Sequence, residues 1–312
     1  MSEYVHKPVL ASQVLSYLRP ERDASLLLDA TVGQGGHSLL FLDSNPLLHV
    51  IGVDADPRML AFAEKRLAPF GERVELVHGW FDEFLVNYDR ERHPDRILFD
   101  LGISMVHFSP DGGGFSFRDE GPLDMRLNPE EERNALEAVL ELSQEELANL
   151  IYTYGEERLS RRIAAALKEH RDEIGSAADA AEIIRSSVPP KYRRGRLHPA
   201  TRTFQALRIW VNRELERLER ALPAAIAQLA PGGIVGVISF HSLEDRIVKR
   251  YFKNLSTSLS EAPTSFDGKD YRLELLTKRP SMPTESEMAE NPASRSAKLR
   301  VARKVALEGA AE

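Results

Sequence analysis

The stretch Asp29-Ala-Thr-Val-Gly33-Gln-Gly35-Gly36-His37-Ser38 joins an apolar run to a helical pattern. Glycines there let the backbone turn sharply and approach a ligand, and the following helix N-terminus offers N–H groups with no partner of their own. Binding of a small polar cofactor is the chemistry this suits. The next apolar run ends Gly52-Val-Asp54-Ala-Asp56. Its Asp54 carboxylate is placed either to take both hydroxyls of a ribose or to cap the next helix. A third run ends His78-Gly79-Trp80-Phe81-Asp82, where an aromatic ring packs on an adenine face or in the core. A fourth ends Phe99-Asp100-Leu101-Gly102-Ile103-Ser104 and brings another carboxylate to the same edge. The glycines are spaced G-x-G-G rather than G-x-G-x-x-G. That spacing argues against a dinucleotide and for an adenosyl ligand without a pyrophosphate.

Other residues suit nucleic acid. From Ile183 to Arg213 there is no Asp or Glu, yet the stretch holds Arg185, Lys191, Arg193, Arg194, Arg196, Arg202, Arg208 and Arg213. Such a run neutralises phosphates or forms a solvated face, and its Pro-Pro-Lys-Tyr-Arg-Arg-Gly-Arg segment, which cannot all be helix surface, favours RNA. The tail residues Arg295, Lys298, Arg300, Arg303 and Lys304 form a second candidate patch. Phe115 and Phe117, beside Gly112-Gly113-Gly114, offer rings on which an extruded base can stack, or they anchor that loop to the core. In Phe240-His241-Ser242-Leu243-Glu244-Asp245, the expectation is that Ser242 and Asp245 cap a helix and that no metal is bound.

These side chains need a scaffold. The runs starting at Leu26, His49, Arg73 and Arg96 are β-like, with helical patterns after Ser38 and Asp56 at the spacing of βαβ units. The fold class expected is α/β, a doubly wound and mostly parallel sheet, with a helical subdomain inserted. Residues 1–104 and 201–312 are assigned to the sheet domain and 105–200 to the insertion. Within the insertion, Ser143 and Glu146 form a capping box before one long helical stretch, ELANLIYTYGEERLSRRIAAALKEH. A second helix carries Phe204, Leu207, Val211, Leu215, Leu218 and Leu222 on one face. The sheet resumes with APGGIVGVISF, and YRLELLTK and SAKLRVARKV read as a terminal antiparallel pair.

Composition removes several chemistries. The chain has 312 residues, a net charge of −7 and no cysteine, which excludes disulfides, thiolate metal sites and a cysteine nucleophile. An acidic chain must hold RNA through local basic patches. No apolar stretch approaches the roughly 18 residues of a membrane span, and no signal-peptide pattern opens the chain, so a cytoplasmic protein without membrane contact is expected.

Laid end to end, the segments HKPVL, DATVGQGGHS, VDADP, HGWF, DLGIS, GFSFRDEGPLDMRL, YGEER, HPATRTFQALRIWVN, ISFHSLEDRIVKR and ENPASRSAKLR cover nearly the whole chain in order. In them the chain resembles the MraW-type bacterial cytosine-N4 methyltransferases of small-subunit ribosomal RNA. The resemblance implies a class I, Rossmann-like methyltransferase core that uses S-adenosyl-L-methionine. It also implies action on a cytidine in the decoding region of 16S rRNA within the small ribosomal subunit, by a monomer or homodimer. Carried over by position, the cofactor contacts are Gly35, Gly36, His37, Asp54, Phe81, Asp100 and His107. At His107 the chain departs from relatives that carry glutamine, and a histidine can still hydrogen-bond the cofactor.

Methyl transfer is an in-line displacement, so alignment does most of the work. The cytosine amino nitrogen is a poor nucleophile, and acceptors beside its N–H bonds help it. Asp100 and the backbone from Leu101 to Ser104 are expected to hold the target amine, with Asp100 and Ser104 the catalytic candidates. Arg193, Arg194, Arg196, Arg202, Phe115 and Phe117 are the candidates for RNA contact. Two other classes compete: an NAD-dependent oxidoreductase, which lacks its glycine fingerprint here, and a catalytically idle RNA-binding assembly factor.

Overall fold

A computed structural model describes residues 7–20, 25–109, 112–195, 197–257 and 271–306. They fall into two compact units, Met1–Gly102 with Leu215–Glu312, and Ile103–Glu214. The first opens with α1 (Ala11–Leu18) and continues through β1 (Leu26–Asp29), α2 (Gly36–Ser44), β2 (His49–Asp54) and α3 (Pro57–Leu67). β3 (Val74–His78), α4 (Phe81–Val86) and β4 (Arg96–Asp100) follow. The second unit holds α5 (Ala135–Glu141), α6 (Gln144–Gly155), α7 (Ser160–Glu169), α8 (Ala177–Ser187), α9 (Pro190–Arg193) and α10 (Thr201–Asn212). The chain then returns to the first with α11 (Glu214–Gln228), β5 (Ile234–Ser239), α12 (Ser242–Thr257), β6 (Tyr271–Leu275), α13 (Glu285–Glu290) and β7 (Lys298–Ala306).

The seven strands form one sheet in the order β3-β2-β1-β4-β5-β7-β6. The first five are parallel, while β7 runs antiparallel to both β5 and β6. This is the doubly wound, Rossmann-like α/β sheet expected from the βα spacing, with the terminal antiparallel pair at its edge. Because side chains alternate across a strand, consecutive apolar residues serve both faces, and parallel strands covered on both sides read as unbroken apolar runs. Leu26, Leu28, Ile97, Phe99, Val235 and Val237 face one cluster, closed by Leu218, Leu222, Val248 and Phe252 of α11 and α12. Leu27, Val50, Leu98 and Ile238 face the other, closed by Val14, Leu18, Phe41 and Leu67 of α1, α2 and α3. The chain moves outward from β1 to β3 and then crosses back to β4, so the order reverses between β1 and β4. At such a switch point, a crevice opens at the carboxyl ends of the strands.

The second unit has its own core, in which Leu147, Ile151, Ile163, Leu167, Ile184, Phe204 and Leu207 are buried together. The Ser143–Glu146 capping box forms as the sequence suggests. Two stretches that read as single helices are broken. Glu156 takes a left-handed conformation (φ 49°) and separates α6 from α7, and Arg213 does the same (φ 50°) between α10 and α11. The apolar face running from Phe204 to Leu222 is thereby divided. Phe204, Leu207 and Val211 enter the second unit's core, whereas Leu218 and Leu222 enter the first's. This packing places residues 201–214 with the second unit, while the periodicity drew the boundary at 200. Among the described residues, no helix is long and apolar enough to cross a membrane.

Candidate functional site

Three carboxylates end neighbouring strands of the first unit: Asp29 on β1, Asp54 on β2 and Asp100 on β4. The glycine loop between β1 and α2 is tied to each strand. Gly33 N donates to Asp54 Oδ2 at 2.7 Å, Asp100 N donates to Thr31 Oγ1 at 2.7 Å, and Ser38 Oγ donates to Asp29 Oδ2 at 2.7 Å. Gly35, the residue before α2, has φ 76°, and a Cβ there would stand 3.1 Å from the Leu67 side chain. Both its conformation and its surroundings therefore require glycine. The two uses open to Asp54 are also separated: Asp56 caps α3 by accepting from Arg58 N, whereas Asp54 accepts from Gly33 N and Asp56 N.

The buried polar atoms of this loop are not all paired. His37 is buried, neither ring nitrogen has a hydrogen-bond partner among the described residues, and Nε2 stands 3.4 Å from Asp100 Oδ2. Asp100 Oδ1, Asp29 Oδ1 and Gln34 Oε1 are likewise buried without a hydrogen bond. Orphaned buried polar atoms are costly, and their gathering at the switch point fits a polar ligand that supplies the missing donors. Burial raises the Asp29 carboxyl from 3.8 to about 6. The Ser38 hydroxyl and His37 oppose the rise, while Asp100 and Asp54 add to it. A positively charged ligand would relieve this concentration of negative charge.

The turn after β3 divides its two aromatics between the two roles considered for them. Trp80 is buried with the Arg217 guanidinium 3.9 Å from its ring centroid, so it belongs to the core. Phe81 is half-buried and meets Phe99 edge-on at 5.6 Å. Arg217 also reaches Asp82 Oδ1 at 3.0 Å and Glu83 Oε1 at 2.8 Å, and Arg220 lies 3.3 Å from Asp82 Oδ2. These two arginines of α11 pin the turn that presents Phe81. No local pattern marks them, because 135 residues separate Arg217 from Asp82.

The first unit thus gathers Gly35, Gly36, His37, Asp54, Phe81 and Asp100. His107 and Ser104 belong to the second unit. There Ser104 Oγ accepts from Val106 N at 3.4 Å, and its carbonyl lies 3.2 Å from His107 Nδ1. His107 is buried, with its ring 5.1 Å from that of Phe115.

The RNA candidates separate by burial. Phe115 is only 4% exposed and sits in the second unit's core, so of its two readings the anchoring one holds and base stacking is corrected. Phe117 is half-buried and lies flat on His198, centroids 4.4 Å apart with 8° between the planes. Arg193 is exposed, but its guanidinium donates to Val188 O and Ser186 O at the end of α8. Arg202 lies 3.7 Å from Glu157, and Arg185 and Arg208 pair with Glu182 and Glu214, acids just outside the acid-free stretch. Lys191, Tyr192 and Arg194 remain exposed together. Arg196 lies outside the described residues.

Three cations of the basic tail are engaged within the fold, while Arg295 is exposed. Lys304 is 1% exposed and donates to the carbonyls of Ile226, Ala227 and Leu229, where it closes the end of α11. Lys298 and Arg300 both bind Asp245, at 3.3 and 2.7 Å. Asp245 is therefore turned to β7 instead of capping α12. The carboxylate that reaches back at the start of α12 is Glu244, whose Oε2 accepts from Phe240 N and His241 N.

Comparison with known proteins gives a consistent family. The profile described as the MraW methylase family matches residues 3–305. Ribosomal RNA small subunit methyltransferase H of Treponema denticola is 48% identical over 307 residues, covering 96% of this chain and 98% of its own. The protein of the same name from Prochlorococcus marinus is 47% identical over 311 residues, covering 97% and 94%. That from Leptospira interrogans is 43% identical over 311 residues, covering 97% and 90%.

Proposed function

The chain belongs to the MraW methylase family, and we propose that it methylates the N4 amino group of a cytidine in the decoding region of 16S rRNA, in the small ribosomal subunit of the cytoplasm. The methyl donor is S-adenosyl-L-methionine. One observation carries the reading: three strand-end carboxylates, with the orphaned atoms of His37 and Asp100 among them, converge at the switch point of the sheet. When bound, the cofactor supplies a methyl group on a positively charged sulfur.

The chain's own residues then have distinct tasks. Asp54 holds the glycine loop through Gly33 N, and its oxygens keep lone pairs for ribose hydroxyls. Phe81 offers a half-exposed ring face to an adenine. His37 and Asp100 supply buried hydrogen-bonding atoms to the polar end of the ligand, and Gly35 and Gly36 let the backbone come close. The backbone after β4, from Leu101 toward Ser104, accepts from the target amine. Asp100, held beside His37, serves the cofactor before the amine. His107 is a cofactor contact by position in the family alone. With no cysteine in the chain, ring attack toward C5 has no nucleophile, and the choice of the exocyclic nitrogen rests on the family to which the chain belongs.

The second unit serves as the RNA-recognition part. Lys191 and Arg194 supply charge to phosphates, with Arg202 and Arg196 in the same basic stretch, and Phe117 lines the loop that follows β4. The test is transfer of labelled methyl from S-adenosyl-L-methionine to small subunits from a strain lacking the gene. Label in 16S rRNA is expected. Binding of both cofactor and subunit without transfer would leave an idle assembly factor instead.

A further inference from the structure

We propose that His241, oriented by Glu244, takes the proton that the target amine loses during methyl transfer; this rests on the reading of the site as an amino-methyltransferase. The register of the sheet places it. Asp100, the last residue of β4, pairs with Ile238 of β5, so Phe240 and His241 emerge at the same carboxyl edge just beyond Asp100. The two segments touch: a Cβ on Gly102 would stand 3.2 Å from the Phe240 ring. His241 therefore lies next to the backbone assigned to the amine.

The imidazole has a carboxylate beside one nitrogen and leaves the other unbonded among the described residues. Its side chain is 9% exposed, and neither ring nitrogen has a hydrogen bond among the described residues. Nε2 stands 3.1 Å from Glu244 Oε1. Glu244 is itself buried and cannot swing freely, because Oε2 accepts from Phe240 N at 2.8 Å and His241 N at 3.2 Å. With Nε2 turned to Glu244, Nδ1 is the buried nitrogen without a hydrogen bond among the described residues, and leaving it so costs stability unless a ligand meets it. A fixed carboxylate behind an imidazole is the arrangement that holds a general base in one orientation and stabilises its protonated form. Asp100 is less suited to this work, being 3.4 Å from His37 on the cofactor side.

The step balances. The amine lone pair forms the nitrogen–carbon bond, the carbon–sulfur bond breaks with its electrons left on sulfur, and an N–H bond of the same nitrogen breaks with its proton passing to the imidazole. The imidazolium, beside Glu244, returns the proton to water as product leaves.

The test compares wild type with His241→Ala, His241→Asn and Glu244→Gln on unmethylated small subunits, alongside calorimetric titration with S-adenosyl-L-methionine. For both His241 variants, kcat is expected to fall about a hundredfold or more, the magnitude of a lost general base, with KM and cofactor affinity held within about threefold. Imidazole added to His241→Ala is expected to restore about tenfold or more of the lost rate, a response that a structural role would not give. Glu244→Gln should lose less and should not respond. Turnover of His241→Asn within about threefold of wild type would overturn the proposal, as would a folded His241→Ala that imidazole does not rescue. If His241→Ala does not fold, the kcat and KM of His241→Asn decide. A wild type that transfers no methyl to RNA would instead fail the underlying reading and take this proposal with it.

Discussion

Replacing Asp29 with asparagine removes a carboxylate that the fold holds at a cost. Asp29 is 1% exposed at the end of β1, and burial raises its pKa from 3.8 to about 6. The gap corresponds to about 3 kcal/mol between the two protonation states. The sign follows from linkage. With the folded value above the unfolded one, the native state binds the proton more tightly, so this contribution to stability is complete below 3.8 and is lost as pH rises through about 6. At pH 7.5 the folded chain carries the full penalty of a buried charge, eased only by Ser38 and His37. Asparagine is nearly isosteric and keeps an oxygen to accept from Ser38, but it does not titrate. Asp29→Asn should therefore be more stable than wild type at pH 7.5, by up to about 3 kcal/mol, and its advantage should shrink to roughly half at pH 5. Urea unfolding of both proteins at the two pH values measures this. An advantage that stays constant or grows toward pH 5, or a wild type more stable at pH 7.5, would refute the reasoning. The same variant should bind S-adenosyl-L-methionine more weakly, since a negative charge near a cationic ligand is gone.

Other substitutions separate binding, recognition and stability. Asp54→Ala leaves Gly33 N and Asp56 N without their acceptor and should weaken cofactor binding by about tenfold or more in calorimetry, given the worth of hydrogen bonds to a charged group. Lys191→Glu with Arg194→Glu should weaken RNA binding and lower the slope of log affinity against log salt by at least about 1.4, from two lost phosphate contacts, with cofactor affinity unchanged. An unaltered slope in filter binding would remove the patch from the RNA surface. Lys304→Met strips three carbonyls of their donor and should cost about 2–3 kcal/mol in thermal or urea unfolding, while RNA affinity stays as it was.

The parts of the fold that could be read from sequence are those whose cause is local. Runs such as Leu26–Asp29 and Arg96–Asp100 announce buried parallel strands because both faces are covered, and the Gly35-Gly36 turn follows from what glycine alone can do. What escaped depends on distant partners. The break at Arg213 is invisible to periodicity, because the apolar spacing continues through it while the two halves serve different cores. Charge runs mislead for the same reason. Lys304 and Arg300 look like surface cations until α11's carbonyls and Asp245, 75 and 55 residues away, are placed against them. Phe115 shares its loop with Phe117, and only packing in the folded chain distinguishes the buried ring from the half-buried one. In the site itself, the carboxylates at strand ends were readable, whereas the orphaned nitrogens of His37 and His241 required the folded chain.

The most direct measurement of the central claim is mass-spectrometric mapping of nucleosides in 16S rRNA after unmethylated small subunits react with the protein and S-adenosyl-L-methionine. The expected product is N4-methylcytidine at a single position in the decoding region, absent from reactions without protein. A methyl group on carbon 5 of cytosine, on another base or on no nucleoside would contradict the account.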